Sequence, residues 1–246
     1  MSTEASIKSL PLFPLHNVLF PLSPLQLHVF EERYKVMING CIERKEPFGV
    51  VLIREGSEVG QSALPFEIGC MAHILAVKRF EDDRMLLLAI GGNRFRLLDY
   101  VQTEHNYLVG KVEILEDEPC PVQSTQELHN ELSGLFLHYL SLITGREDLS
   151  DADVTLPDDP ALMTFAVAAM TSWPLSVKQR LLESTSPLTR LQEEVVRLRE
   201  DIREMEARRA QGEPAATVET VPLVLRVHPI AENYEERQRY LHLGRN

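Results

Sequence analysis

The residue types that most often perform catalysis are scattered along this chain and form no known catalytic motif. The sequence contains no G-x-x-x-x-G-K-[ST] nucleotide loop, no G-x-S-x-G elbow and no H-E-x-x-H zinc helix. Its eight histidines are dispersed, and His16, His28 and His73 lie in strand-like context, where packing or hydrogen bonding is the expected role. Catalytic residues can also converge in space, so an enzyme stays open, but no pattern predicts one.

The residues that could bind a metal are no better placed. Gly145–Pro160 carries five aspartates but lacks the central glycine and terminal glutamate of an EF-hand loop. A solvated loop is predicted instead, with Asp158 or Asp159 capping the next helix. The three cysteines, Cys41, Cys70 and Cys120, are far apart and form no C-x-x-C pair, so reduced thiols are expected. The sequence therefore predicts neither a metal nor a cofactor.

The acidic charge balance limits the class of partner. The formal net charge is -12 and the sequence pI is near 5.2, which disfavours nucleic acid and anionic lipid as partners. The apolar stretch Leu10–Phe30 contains four prolines, which would break a membrane-spanning helix. The first nine residues lack the basic start and apolar core of a signal peptide. We therefore expect a cytoplasmic protein that does not enter a membrane.

The first half of the chain is predicted to form a sheet with one early helix. Leu25, Leu27 and Val29 alternate with their neighbours at the period of a half-buried strand, and helical spacing follows over 31–44. Further strands are predicted at 48–54, 69–80, 85–90, 94–101 and 107–115. Gly91–Asn93 is expected to form a tight hairpin between two of them. Residues 7–117 should then form a small β barrel or pseudo-barrel.

The second half is predicted to be helical over residues 120–211. Its last helix, 187–211, carries a heptad seam of apolar residues. These are Leu188, Leu191, Val195, Leu198, Ile202 and Met205. Packing of this seam on the preceding helices is the favoured interpretation, and a homodimer through the same helix is the alternative. Residues 213–246 form a linker and a tail whose apolar run, Val221–Val227, could dock on the body or bind a partner.

Several phrases of the sequence resemble the N-terminal substrate-binding domain of Lon proteases. That family opens with "LPLFPL…VLFP" and "PLxLxIFExRY", and residues 10–21 and 24–34 read LPLFPLHNVLFP and PLQLHVFEERY. Residues 91–97 (GGNRFRL) and 174–183 (PLSVKQRLLE) are similar to later family segments. The resemblance implies an α+β fold, in which a PUA-like β pseudo-barrel precedes a helical subdomain. It also implies a stand-alone member without the ATPase and peptidase of the full proteases.

The function implied by this resemblance is non-enzymatic binding of unfolded or apolar polypeptide segments, or of specific clients, alone or beside a separate protease. The candidate contact residues fall in two groups. Phe20, Pro21, Leu22 and Pro24 lie at a strand junction, while Phe80 and Met85 flank the acidic turn Glu81–Asp83. Two alternatives remain: a small-molecule hydrolase with a cleft between the subdomains, and an RNA-binding PUA-like protein.

Overall fold

A computed structural model describes residues 7–58, 63–120, 122–146 and 156–211 of the chain. The tail 213–246 and most of the aspartate-rich loop thus lie outside the described residues. Six strands and five helices are present in the described part. The strands are β1 (Lys8–Leu15), β2 (Pro24–Val29), β3 (Phe48–Glu55), β4 (Leu64–Arg79), β5 (Met85–Gln102) and β6 (Leu108–Ile114). The helices are α1 (Glu32–Arg44), α2 (Val122–Thr144), α3 (Pro160–Met170), α4 (Leu175–Glu183) and α5 (Pro187–Ala210).

The strands form one mixed sheet that closes on itself. Its order is β2-β5-β4-β3-β1-β6, and β5 also pairs with β6, so five strands make a ring and β2 is attached to β5. β1 and β3 run parallel, whereas the other pairs are antiparallel. Two register shifts between β4 and β5 bend the long strands, as bulges do. The predicted α+β fold with a β pseudo-barrel is therefore confirmed.

The Gly91–Asn93 segment does not form the predicted hairpin. It lies inside β5, an unbroken strand of 18 residues, and neither glycine has positive φ. Glycine is required at position 91 because the backbone of Phe20 passes close to it. A Cβ at Gly91 would lie 2.0 Å from the carbonyl oxygen of Phe20. The sequence prediction was wrong because a glycine pair signals close packing as readily as a turn.

The described residues separate into two compact units. One contains the sheet and α1 together with Trp173–Glu183, and therefore α4; the other contains α2, α3 and α5. In the first unit, α1 buries Tyr34, Met37, Ile38 and Cys41 against the strands, the face predicted from their helical spacing. No helix among the described residues is long and apolar enough to cross a membrane.

The helical unit forms around the seam of α5. Leu191, Val195, Leu198 and Ile202 are buried, whereas Leu188 is 41% exposed. α5 packs on α2 and α3, so this seam is used within the chain, as the favoured interpretation predicted. Asp159 caps α3 through the backbone N–H of Ala161, and Ser186 caps α5. Ser176, which the sequence also suggested as a helix cap, does not cap α4, because that helix already begins at Leu175.

Candidate functional site

Two polar side chains of the family-like segments have structural roles in the sheet-containing unit. Gln179 of α4 is buried and donates from Nε2 to the carbonyl oxygen of Ile68 in β4, at 3.0 Å. Arg94 of β5 is also buried and donates to the carbonyl oxygen of Leu182, at 2.5 Å. Because both hold α4 on the sheet, neither is available to a ligand.

In the helical unit, a buried arginine is likewise occupied by the fold. Arg190 of α5 makes a bidentate pair with Asp117, with both N–O distances 2.8 Å. It also donates to Thr164 and to the carbonyl oxygen of Ser184, and its guanidinium lies 4.1 Å from the ring centre of Phe165. A guanidinium with this many partners acts as a structural anchor.

One turn further along α5, Glu194 is fully buried and differs from Arg190 in its bonding. Neither carboxyl oxygen has a hydrogen-bond partner among the described residues. Burial raises the pKa of this carboxyl well above its usual value, only partly offset by Arg190. Burial therefore favours the protonated, neutral form of Glu194, and this side chain has no accessible surface for a substrate.

Two of the three cysteines, Cys41 and Cys70, are buried and have the environment of packing residues. Burial raises the pKa of the Cys41 thiol to about 11 and that of Cys70 to about 12. Neither is thus a thiolate nucleophile at neutral pH. Across the part of the chain that is described, no group of three or more His, Cys, Asp or Glu side chains could hold a metal ion.

The candidate site is instead an apolar surface on the side of strands β2, β5 and β4 that points away from the core. This surface is here called the outer face. Along the first half of β5, Met85, Leu87 and Ala89 point into the core and are buried. Their alternate neighbours Leu86, Leu88 and Ile90 point outward, and Leu88 is 37% exposed. A strand that is apolar on both sides is expected when both faces are covered. Here one face is open.

The flanking strands extend this surface on both sides of β5. On β2, the outward residues Pro24, Gln26 and His28 pair with Ile90, Leu88 and Leu86, respectively. On β4, Ala76 pairs with Leu88 and Lys78 with Leu86. Among the outward positions just named on β2, β5 and β4, one is occupied by a Lys, Arg, Asp or Glu, and this is Lys78. The centre of the outer face is therefore apolar.

Two exposed aromatic side chains mark one end of the outer face. Phe30 directly follows β2 and is 53% exposed, and Phe80 directly follows β4 and is 36% exposed. The backbone N–H of Phe80 donates to the carbonyl oxygen of Arg84, which continues the β4–β5 ladder. Lys78 lies over the Phe80 ring, with 5.4 Å between its Nζ and the ring centre.

The six residues proposed from the sequence divide between this surface and the core. Pro24 and Phe80 are exposed at opposite ends of the outer face, a relation that their sequence separation did not reveal. Pro21 and Leu22 are half-buried, and Leu22 has a φ of 63° in the turn before β2. Phe20 and Met85 are each 1% exposed and contribute to the core. Leu86, Leu88, Ile90 and Phe30 were not proposed, although the unbroken apolar run at 85–90 was a signal for the first three.

β2 has a backbone edge without a partner strand. It pairs with β5 on one side, and within the described residues no strand pairs with its other side. In an antiparallel strand, alternate residues direct their N–H and C=O groups away from the neighbour. No hydrogen bond to such groups of Pro24–Val29 is found among the described residues. The outer face therefore borders a row of open backbone donors and acceptors.

A second surface feature lies in the same unit, where β1, β5 and β6 meet. It is a groove of about 280 Å³ lined by nine residues. They include the exposed apolar side chains of Ile7, Tyr100 and Val101, with Lys8, Asp99 and Lys111 around them. The groove thus mixes charges of both signs with apolar contacts, unlike the outer face.

Comparison with known proteins identifies the family. Residues 9–200 match the family model of the ATP-dependent protease La (LON) substrate-binding domain. The chain belongs to this family. The Lon N-terminal domain protein of Xanthomonas campestris is 27% identical with a TM-score of 0.57, covering 76% of this chain and 96% of that one. The N-terminal domain of the Mycobacterium avium complex Lon protease, 15% identical with a TM-score of 0.59, covers 78% and 98% and supports the fold alone.

The similarity to complete Lon proteases is confined to one part of them. Lon protease 2 of Myxococcus xanthus is 28% identical over 189 residues, which is 74% of this chain and 22% of that protein. The chain therefore spans about a fifth of the length of such relatives. Because residues 9–200 match the substrate-binding domain of that family, the family supports a substrate-recognition module.

Proposed function

We propose that this protein is a non-enzymatic recognition module that binds unfolded or apolar polypeptide segments on its outer face. The observation that carries this proposal is the open apolar surface around Leu88 on a member of the Lon substrate-binding family. An open apolar surface allows a polypeptide to bury its own apolar side chains against it, which favours binding. The bound segment is then presented to a protease, either on a separate chain or in the same assembly.

The two other functions considered from the sequence have less support. An RNA site needs a continuous basic stripe. The outer face has one Lys or Arg, which is Lys78, and the whole chain has a formal net charge of -12. A hydrolase needs converging polar groups, but Arg94, Gln179 and Arg190 are each bonded within the fold. We therefore retain the binding function as the proposal.

The test measures binding of a fluorescent, permanently unfolded polypeptide, with its folded counterpart as control. Selective binding with a Kd near 1 μM corresponds to about -8 kcal/mol. Leu88→Glu places a charge at the centre of the outer face and should weaken binding at least tenfold. Val101→Glu is the matched control, because Val101 lies on the same strand, is 63% exposed and lines the other groove.

Each result of this test has a defined meaning. Loss of binding in Leu88→Glu alone supports the outer face as the site. Loss in Val101→Glu alone assigns the clients to the groove of about 280 Å³ and contradicts the site proposed here. If the native protein binds neither the unfolded nor the folded polypeptide, the recognition function itself is wrong.

A further inference from the structure

We propose that the client segment binds as an added β-strand on the open edge of β2. This inference rests on the proposed function and specifies its substrate class: a short, extended segment with alternating apolar side chains. Its backbone pairs with β2, and the side chains on one of its faces continue the outer face beside Pro24, Gln26 and His28. Backbone bonds give such complexes affinity, and alternate side chains give selectivity.

The edge of β2 lacks the usual protection against pairing with another strand. Natural edge strands carry charged side chains, inward-pointing charges or bulges that prevent another strand from pairing. β2 reads PLQLHV, with no Lys, Arg, Asp or Glu, and its ladder with β5 has no register shift. Proline is present only at the first position, where it leaves the rest of the strand able to pair.

The outer face is small. Residues 85–90 of β5 span about 17 Å along the strand, and the three strands span roughly 10 Å across the sheet. The outer face therefore has an area on the order of 200 Å². A stable complex between folded proteins buries about 800 Å² per partner. The surface is therefore too small for a folded partner or a stable second copy. The edge of β2 beside it is six residues long and matches one extended segment of about that length.

The side chains of the outer face favour an uncharged segment. The outward side chains of β2 and β5 are proline, glutamine, histidine, leucine and isoleucine, although a quarter of the whole chain is charged. A charged segment would lose hydration at such a surface without gaining an ion pair. Uncharged segments rich in Val, Ile, Phe and Thr, which favour extended backbone, are the expected ligands.

The test uses the full chain and a fluorescein-labelled seven-residue peptide of alternating valine and threonine with a terminal lysine. Two further versions carry N-methyl groups on either the odd or the even backbone nitrogens. Strand addition needs only one of these sets of N–H groups, so one methylated peptide should bind at least tenfold more weakly and the other within threefold. Side-chain docking without backbone pairing predicts equal affinity for all three and would overturn the inference.

Protein variants complete the test. Gln26→Lys with His28→Lys adds the protective charges of a natural edge strand and should weaken peptide binding at least tenfold, whereas Val101→Lys should not. If the unfolded polypeptide binds but the unmodified peptide does not, strand addition is wrong and the recognition function stands. If neither binds, the recognition function fails. A dimer in sedimentation that the Gln26/His28 double variant abolishes would instead assign the β2 edge to a second copy and overturn the inference.

Discussion

The outer face and the helical unit place their side chains in opposite ways. The outer face leaves Leu88, Phe30 and Phe80 in contact with solvent, whereas the helical unit buries the charged or ionisable groups of Arg190 and Glu194. Exposed apolar side chains cost the fold little stability, and they can be buried against a binding partner. Buried ionisable groups cost desolvation free energy and stabilise the fold only when they are paired. The comparison separates a surface suited to binding from an interior that fixes geometry.

The largest expected effect is on the stability of the helical unit. Arg190→Met removes the guanidinium that pairs with Asp117 and bonds Thr164, and it leaves those groups without a partner from α5. Breaking a buried pair costs about 3–5 kcal/mol of unfolding free energy. Urea denaturation followed by circular dichroism measures this loss. Arg197→Met, which removes a partly exposed pair with Glu193, should cost about 1 kcal/mol or less, and equal losses would contradict the assigned role.

The second expected effect is a gain in stability when Glu194 is replaced, and its size depends on pH. The pKa of Glu194 is raised in the folded state, so the folded chain holds this proton to higher pH than the unfolded chain. The free energy of unfolding of the native chain therefore falls as the pH rises above about 4.5, the usual pKa of a glutamate. It falls by up to about 1.4 kcal/mol per pH unit until the folded pKa is reached. Relative to the native chain, Glu194→Met should therefore become more stable as the pH rises from 4 to 7. The cost of burying an unpaired carboxyl, about 1–3 kcal/mol, favours the variant by a similar amount at every pH.

A matched variant checks that this effect comes from burial. Glu200 lies on the same helix and is exposed, so Glu200→Met should change the unfolding free energy by about 0.5 kcal/mol or less at either pH. The measurement is urea denaturation at several pH values between 4 and 8. A pH-independent difference between Glu194→Met and the native chain would contradict the raised pKa of Glu194.

The smallest expected effect concerns the outer face. Leu88→Glu should change the unfolding free energy by about 1 kcal/mol or less, because the side chain is already 37% exposed and fills no cavity. The same variant is expected to lose polypeptide binding, so its stability and its binding are separable. A loss of several kcal/mol would show that Leu88 is a core residue and would remove the contrast between the two regions.

Local patterns in the sequence predicted much of the fold because they report which side of an element is buried. The alternation of Leu25, Leu27 and Val29 predicted β2, and the heptad spacing predicted the buried seam of α5. Patterns failed where one signal has two physical causes. Gly91 and Gly92 were interpreted as a hairpin, but close approach of the chain at Phe20 accounts for Gly91. The run at 85–90 was predicted as a strand without indicating which of its two apolar sides is open.

The candidate site was only partly predictable. Pro24 and Phe80 were proposed from their neighbourhood in the sequence, together with Phe20 and Met85, which the fold buries. A single sequence could not place Leu88 between β2 and β4, because strand order and register depend on pairing between segments that are distant in the chain. Gln179 is a similar case, since its burial depends on the docking of α4 against β4.

By itself, the sequence determined the family, the succession of strands and helices, and the side of most elements that is buried. These properties follow from local periodicity and from residues that restrict the backbone. Only the tertiary structure decided that Arg190 is fully bonded while Glu194 is not, and that the apolar outer side of β5 is left open beside the free edge of β2. The reason is physical: exposure and pairing depend on what covers a side chain, and that is set by contacts between distant segments.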